Sequence, residues 1–229
     1  MDQLTFKFPF SKKYYEQDFF VSNNNFSAYK LVENWPNWPG CWLNIFGPKG
    51  SGKTHLAKIL EKKINKIKLI EAKDIKNEII QDLNNLECLI IDSYNRNIDE
   101  KLLYSILNES KQLQNYVLIN SISSMNNTNF ILKDLESRIG SFLFFGIEPP
   151  TDDLLKVVIS KMLSDKQISI NPKITDFIIN NVERSYDKMF KFLKDVDELS
   201  LSTGKSININ LIKKVLNKWI NIELITVQN

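Results

Sequence analysis

The chain has 229 residues, 43% of them hydrophobic, with 30 basic against 27 acidic side chains and a net charge of +3. That length and apolar content allow one sizeable core or two small ones, and so balanced a charge argues against duplex DNA as the main partner, although a basic face stays open. Cys41 and Cys88 fit no metal or redox spacing, and with His55 as the single histidine no histidine triad or multi-histidine metal site can form. The start MDQLTFKF lacks a signal-peptide pattern, and apolar runs such as 88–91 and 142–147 are too short to span a bilayer. A soluble cytoplasmic protein with reduced thiols is expected.

In chain order, Leu4, Phe6 and Phe8 alternate with polar residues. Helical patterns follow at 24–34, 53–65, 73–84, 99–113 and about 131–139. Between them lie apolar runs at 42–46, 67–72, 87–92, 116–120 and 141–147. These runs are continuous rather than alternating, as expected for strands buried on both faces. The βα alternation predicts an α/β fold with a parallel five-stranded sheet covered by helices on both faces. The pattern changes at EPP, 148–150, because two prolines cannot continue a ladder. Thr151 reads as the N-cap of a helix over 151–166, with Asp152 and Asp153 in its first turn. Further helices fit 172–182, started by Pro172, then 185–201 and 206–220, with a break at Gly204. The predicted organisation is a tail at 1–10, an α/β domain at 11–149 and a small all-helical domain at 150–229.

GPKGSGKTHL, residues 47–56, matches G-x-x-x-x-G-K-[ST] with Gly47, Gly52, Lys53 and Thr54, between a predicted strand and a predicted helix. In such a loop Pro48, Lys49, Gly50, Ser51 and Gly52 wrap phosphates with their backbone. Lys53 neutralises β/γ-phosphate charge, Thr54 ligates magnesium, and His55 lies in the first helical turn beside the phosphates. Asp92, at the tip of the apolar strand ECLIID, is the acid that would hold magnesium through water. Ser93 follows where a second acid would activate water, while Asp99 and Glu100 suit a helix start. The site therefore reads as able to bind ADP or ATP with Mg²⁺ and poorly equipped to hydrolyse ATP alone.

Together these features resemble the AAA+ P-loop family and, within it, the DnaA-like branch. The resemblance runs from FFVSNNN (19–25) through the P-loop, DLESRIG (134–140) and RSYDKMFKFLKDVD (184–197), nearly the whole chain. It implies that Phe19, Phe20 and Val21 pack on adenine and that Arg138 is an arginine finger acting in trans. It also implies that the helical domain is a lid, with Lys188 at a sensor position usually held by arginine. This chain departs from the family pattern in two places. The polar sensor position after the fourth strand falls on Ile122, so either Asn120 or Ser121 substitutes or the sensor is lost, and Ser93 replaces an acid. With no helix-turn-helix pattern, what remains resembles the Hda group of DnaA paralogues, which switch DnaA off on the sliding clamp. Gln3, Leu4, Phe6 and Phe8 then resemble that group's clamp-binding peptide, with Gln3 in a polar pocket and the apolar side chains in a groove. By pattern alone, 3–8 equally fits a strand packed on its own core.

The implied function is a nucleotide-binding regulator of replication initiation that docks on the clamp and stimulates hydrolysis of ATP held by DnaA. Its own ATPase would be weak at most, and DNA would be touched weakly or indirectly. A homodimer stays open. The alternatives are an autonomous P-loop ATPase or a DnaC-like loader binding single-stranded DNA or a helicase. Arg138 and Lys188 also fit ordinary surface roles. Trp35, Trp38 and Trp42 fit core packing better than a base-stacking platform.

Overall fold

The computed structural model describes residues 15–165, 168 and 171–227, so the peptide at 3–8 lies outside the described residues. Two compact units are present, one ending at Glu148 and one continuing from Pro149. Among the described residues no helix is long and apolar enough to cross a membrane.

The first unit is built on five parallel strands: β1 (Trp42–Phe46), β2 (Ile67–Glu71), β3 (Cys88–Tyr94), β4 (Tyr116–Ser121) and β5 (Leu143–Gly146). Their spatial order is β2-β3-β4-β1-β5. β1, β3 and β4 are buried almost throughout, because each has a neighbour on both sides and a helical layer on both faces. The edge strands β2 and β5 are only half-buried. Alternate residues feed two cores. Leu89, Ile91, Val117 and Ile119 pack with Leu103 and Ile106 of α4 (Glu100–Gln112) and Leu135 of α5 (Lys133–Ile139). Leu43, Ile45, Ile90 and Leu118 pack with Leu31 of α1 (Phe26–Glu33) and Leu56 and Leu60 of α2 (Lys53–Lys63). The predicted parallel sheet with helices on both faces is thus present. Asp99 caps α4, its Oδ1 accepting from the N–H groups of Lys101 and Leu102 at 3.0 Å each.

One predicted helix is not continuous. The 73–84 pattern becomes a single turn, α3 (Ile79–Asp82), flanked by 3₁₀ turns at Ala72–Asp74 and Leu83–Asn85. Ile75 is extended, at φ −70 and ψ 130. Ile79 and Leu83 are buried and pin the segment to the core, while Lys76, Asn77 and Glu78 are exposed. So short a window does not overcome helix nucleation without a continuous buried face.

The second unit contains α6 (Asp152–Ser164), α7 (Pro172–Asn181), α8 (Tyr186–Thr203) and α9 (Ile209–Val227). Thr151 caps α6 through Leu154 N–H, Asn171 caps α7 ahead of Pro172, and Gly204 ends α8 in a left-handed conformation at φ 62. Its core gathers Ile159, Ile178, Met189, Phe192 and Ile212, with Trp219 set edge-on against Phe192. Trp219 Nε1 donates to Asp195 Oδ2 at 2.7 Å, so the indole is satisfied at its polar end.

Candidate nucleotide site

The loop between β1 and α2 is shaped by two glycines. A Cβ on Gly47 would stand 2.6 Å from the Ile147 carbonyl oxygen, where the backbone after β5 passes close by. Gly52, at φ 97, would put a Cβ 2.7 Å from the Phe19 ring. Between them Pro48 is half-buried, Lys49 and Gly50 are exposed and Ser51 is buried. Lys53 turns back into the loop. Its Nζ donates to the carbonyls of Gly47 at 2.7 Å and Pro48 at 2.9 Å. Burial pushes the Lys53 ammonium down to about 8, opposed by the Asp92 carboxylate. A buried cation held by neutral carbonyls is one that an anion can recruit.

Asp92 is nearly fully buried, at 3% exposure, and takes two hydrogen bonds. Thr54 Oγ1 donates to its Oδ2 at 2.7 Å, and Asn120 Nδ2 donates to its Oδ1 at 2.9 Å. Ser93, next along the chain, is exposed and left-handed at φ 58, where the β3–β4 pairing slips between Ile91 and Tyr94. Such an irregularity re-aims side chains at a strand end. Here it turns the position after Asp92 outward.

The polar sensor position that the resemblance assigns to Ile122 holds an apolar side chain that is 58% exposed. Of the two substitutes, Asn120 touches Asp92. Ser121 is engaged elsewhere, accepting from Asn44 Nδ2 at 2.9 Å and donating to the Ser123 carbonyl at 2.7 Å. Asn44, missed in the sequence, completes this knot by donating to the Ile119 carbonyl and accepting from Met125 N–H. Its signal was there to read: an asparagine inside the apolar run WLNIF must be hydrogen-bonded once buried.

Phe19 stacks on Tyr29 at 5.7 Å and meets the His55 ring edge-on at 5.5 Å, covering Gly52. Phe20 is exposed and Val21 half-buried. Asn25 braces this segment, accepting from Ser22 N–H and donating to the Phe20 carbonyl. His55 Nε2 lies 2.8 Å from the Tyr15 carbonyl, which can only accept, so the proton sits on Nε2. Trp38 and Trp42 are buried, with their N–H groups given to the Leu31 carbonyl and Ser110 Oγ; Trp35 packs edge-on against Trp38 and Tyr116. All three serve the core.

The structure therefore hydrogen-bonds Thr54 and Asn120 to Asp92, with Lys53 held by the loop carbonyls within reach of the Asp92 charge and Phe19 packed against His55 in the first turn of α2. Arg138 does not join them. It is half-buried in the last turn of α5, and its guanidinium makes no ion pair among the described residues. Lys188 belongs to the second unit, where its Nζ lies 3.8 Å from Glu183 and its N–H reaches Ser185 Oγ at 3.4 Å.

The Thr54–Asp92 pair is a hard-oxygen set of the kind magnesium takes together with phosphate oxygens and water. The buried Asn120 Oδ1 has no hydrogen-bond partner and so leaves one acceptor to be satisfied there. Among the described residues no cluster of three or more His, Cys, Asp or Glu is placed to hold a metal by itself. The residues present thus fit a magnesium ion that arrives with a nucleotide. When bound, such an ion supplies charge neutralisation across the phosphate oxygens.

Residues 154–216 match the family described as Hda, lid domain. The chain is 26% identical over 235 residues to the chromosomal replication initiator protein DnaA of Buchnera aphidicola, an alignment covering 91% of this chain and 53% of that protein. It thus spans about half the length of that relative. Among solved structures, domain III of the Thermotoga maritima replication initiation protein DnaA superposes with a TM-score of 0.77 at 19% identity, over 92% of this chain and 98% of that one. AMPPCP-bound DnaA from Aquifex aeolicus superposes with a TM-score of 0.66 at 18% identity, over 83% and 67%. With this sheet order, the chain shares the fold of domain III of DnaA, and its helical segment matches the Hda lid domain over residues 154–216.

Proposed function

We propose that this protein is a nucleotide-dependent regulator that acts on DnaA rather than an ATPase in its own right. It binds ADP or ATP with Mg²⁺ through residues 47–54, with Asp92 behind the metal and Phe19, Phe20 and Val21 beside the base. It docks on the sliding clamp through Gln3, Leu4, Phe6 and Phe8 and presents Arg138 to ATP held by a neighbouring DnaA. The observation that carries this reading is the pairing of two features. Ser93 stands, turned outward, where a hydrolytic acid would sit, while the Arg138 guanidinium has no ion-pair partner among the described residues and is available to a second subunit.

The chemistry is electrostatic. Hydrolysis of the bound ATP develops negative charge on the transferred phosphoryl oxygens and the leaving oxygen. A guanidinium inserted from a neighbour stabilises that charge in a water-poor interface. Fingers of this kind are worth on the order of 10³–10⁵ in rate. The test is single-turnover hydrolysis of DnaA-bound ATP with clamp loaded on DNA. Arg138→Ala is expected to abolish the stimulation while keeping ADP affinity and clamp binding, and Arg138→Lys to restore little of it. Removing residues 1–8 is expected to abolish the stimulation only where it depends on the clamp. Equal rates for wild type and Arg138→Ala overturn the assignment.

A further inference from the structure

The net charge of +3 is not spread evenly along the chain. From Leu199 to Ile222 the sequence holds no acidic residue, while Lys205, Lys213, Lys214 and Lys218 fall inside that stretch. These four lysines exceed the net charge of the whole chain, so the remainder is slightly acidic. The structure puts three of them on the outward side of α9. Leu211, Ile212, Val215 and Leu216 are buried in the helical core, whereas Lys213, Lys214, Asn217 and Lys218 between them are exposed. Lys205, in the turn before α9, is exposed as well. None of the four makes an ion pair among the described residues. Lys213 Nζ lies 5.8 Å from the centre of the Phe177 ring, so its stem packs while its charge stays at the surface. The acids of the neighbouring helices are engaged elsewhere. On α7, Asp176 pairs with Lys156. On α8, Asp187 pairs with Lys191, Glu198 with Lys194, and Asp195 accepts from the Trp219 indole.

The composition of this face selects its partner. Protein interfaces are poor in lysine and rich in arginine and aromatic residues. This stretch has no arginine, and its one aromatic, Trp219, is half-buried with its N–H already given. A membrane-surface helix needs an apolar side for the lipid, which α9 has spent on the core. Ile209 and Ile220 are exposed but three turns apart, so they form no apolar patch. Single-stranded bases need aromatic platforms, which the face lacks. Lysines and asparagines without aromatics offer point charges and donors for phosphate, which hold a sugar-phosphate backbone without reading its sequence. Lys214 and Lys218 stand one helical turn apart, about 5–6 Å between Cβ atoms, so both can engage one strand. We infer that the outward face of α9 is a docking surface for the phosphate backbone of duplex DNA, independent of sequence. It gives the helical unit a direct contact with DNA, on residues that belong to neither the P-loop nor α5.

The experiment is fluorescence anisotropy of a short labelled duplex of arbitrary sequence, and of its single strand, across a KCl series. Flotation with phosphatidylglycerol–phosphatidylcholine vesicles runs beside it. The proteins are wild type, the double variant Lys214→Ala/Lys218→Ala, its charge-keeping counterpart Lys214→Arg/Lys218→Arg, and Lys73→Ala/Lys76→Ala. The last removes the same charge from exposed lysines of the sheet unit. For wild type, the logarithm of affinity should fall with the logarithm of salt with a slope of about −3, roughly 0.9 per phosphate neutralised. Lys214→Ala/Lys218→Ala should flatten that slope by about 2 and weaken binding roughly tenfold per lysine at about 50 mM KCl. The arginine pair should keep the wild-type slope, as should Lys73→Ala/Lys76→Ala. Alanine suits a helix, so melts of the variants should match wild type; if they do not, the arginine pair against Lys73→Ala/Lys76→Ala still tests the face. An unchanged slope in Lys214→Ala/Lys218→Ala overturns the inference. So does an equal loss in both alanine pairs, which would mean that only net charge matters. Wild type that binds the single strand or the vesicles in preference to the duplex, or no duplex at low salt, overturns it too.

Discussion

Gly52 shows how a single residue sets the geometry of the P-loop. At φ 97 it occupies backbone space that L side chains avoid, and the Phe19 ring lies where a Cβ would be. Gly52→Ala is therefore expected to destabilise by about 1–2 kcal/mol from backbone strain alone, and further because Phe19 must leave Tyr29 and His55. For a chain of this length that is a fall of roughly 2–8 °C or more in melting temperature. Gly204→Ala is the control. It shares a left-handed backbone, but nothing lies within 4 Å of its would-be Cβ, so it should show the strain without the clash. Parallel melts of the two variants check this, and equal shifts would mean that Phe19 yields freely. At this scale Lys53, Thr54 and Asp92 were legible in the sequence, because loop spacing and a strand tip place them regardless of the rest of the fold. Asn120 was not settled there. Strand alternation puts 120 and 122 on the same side, and only the knot of Asn44, Ser121 and Met125, which turns the chain after β4, sends Ile122 to solvent and leaves the buried contact to Asn120.

Capping and periodicity made the long elements readable, since Thr151, Asp99 and Pro172 announce helix starts through local bonds. The broken segment around α3 was not readable, because Ile75, Ile79 and Leu83 repeat at helical spacing while the core needs only their side chains. The start of the helical unit carries a further electrostatic tie. Arg184 Nε donates to Asp152 Oδ1 at 2.6 Å, and its terminal nitrogen donates to Oδ2 at 3.1 Å, a two-pronged bond between the start of α6 and the approach to α8. The hydrogen bond from Arg184 holds the Asp152 carboxyl below its ordinary range. A depressed carboxyl stabilises the fold above its unfolded value, near pH 4, and loses that contribution as pH falls through the lowered folded value. The pair is solvent-exposed, so the effect is small. Arg184→Ala is expected to melt slightly lower than wild type at neutral pH, with the gap closing in acid below about pH 4. Melts across a pH series check it, and a gap that widens in acid would mean that the pair is not what Arg184 contributes.

Among the described residues the helical unit draws its buried cluster from 155–216, and in it Phe192 is fully buried with the Trp219 ring edge-on at 5.5 Å. A unit this small has little apolar burial to spare, because surface grows relative to volume as domains shrink. Phe192→Ala removes a fully buried ring at its centre, at a cost of about 3–5 kcal/mol when the cavity cannot collapse. That is comparable with the whole stability of a small domain, about 5 kcal/mol at the low end. The parallel sheet rests on two separate cores, one on each face, none of which loses an atom in the variant. Hydrogen exchange is thus expected to split the chain. Amides of α7, α8 and the start of α9 should lose most of their protection, whereas β1, β3 and β4, buried on both faces, should keep theirs. The ADP affinity proposed for the P-loop and Asp92 should survive in this variant, because neither belongs to the helical unit. Uniform loss of protection across β3 and α8 would show that the two units open as one, and the sheet's stability would then have to be counted together with the lid's.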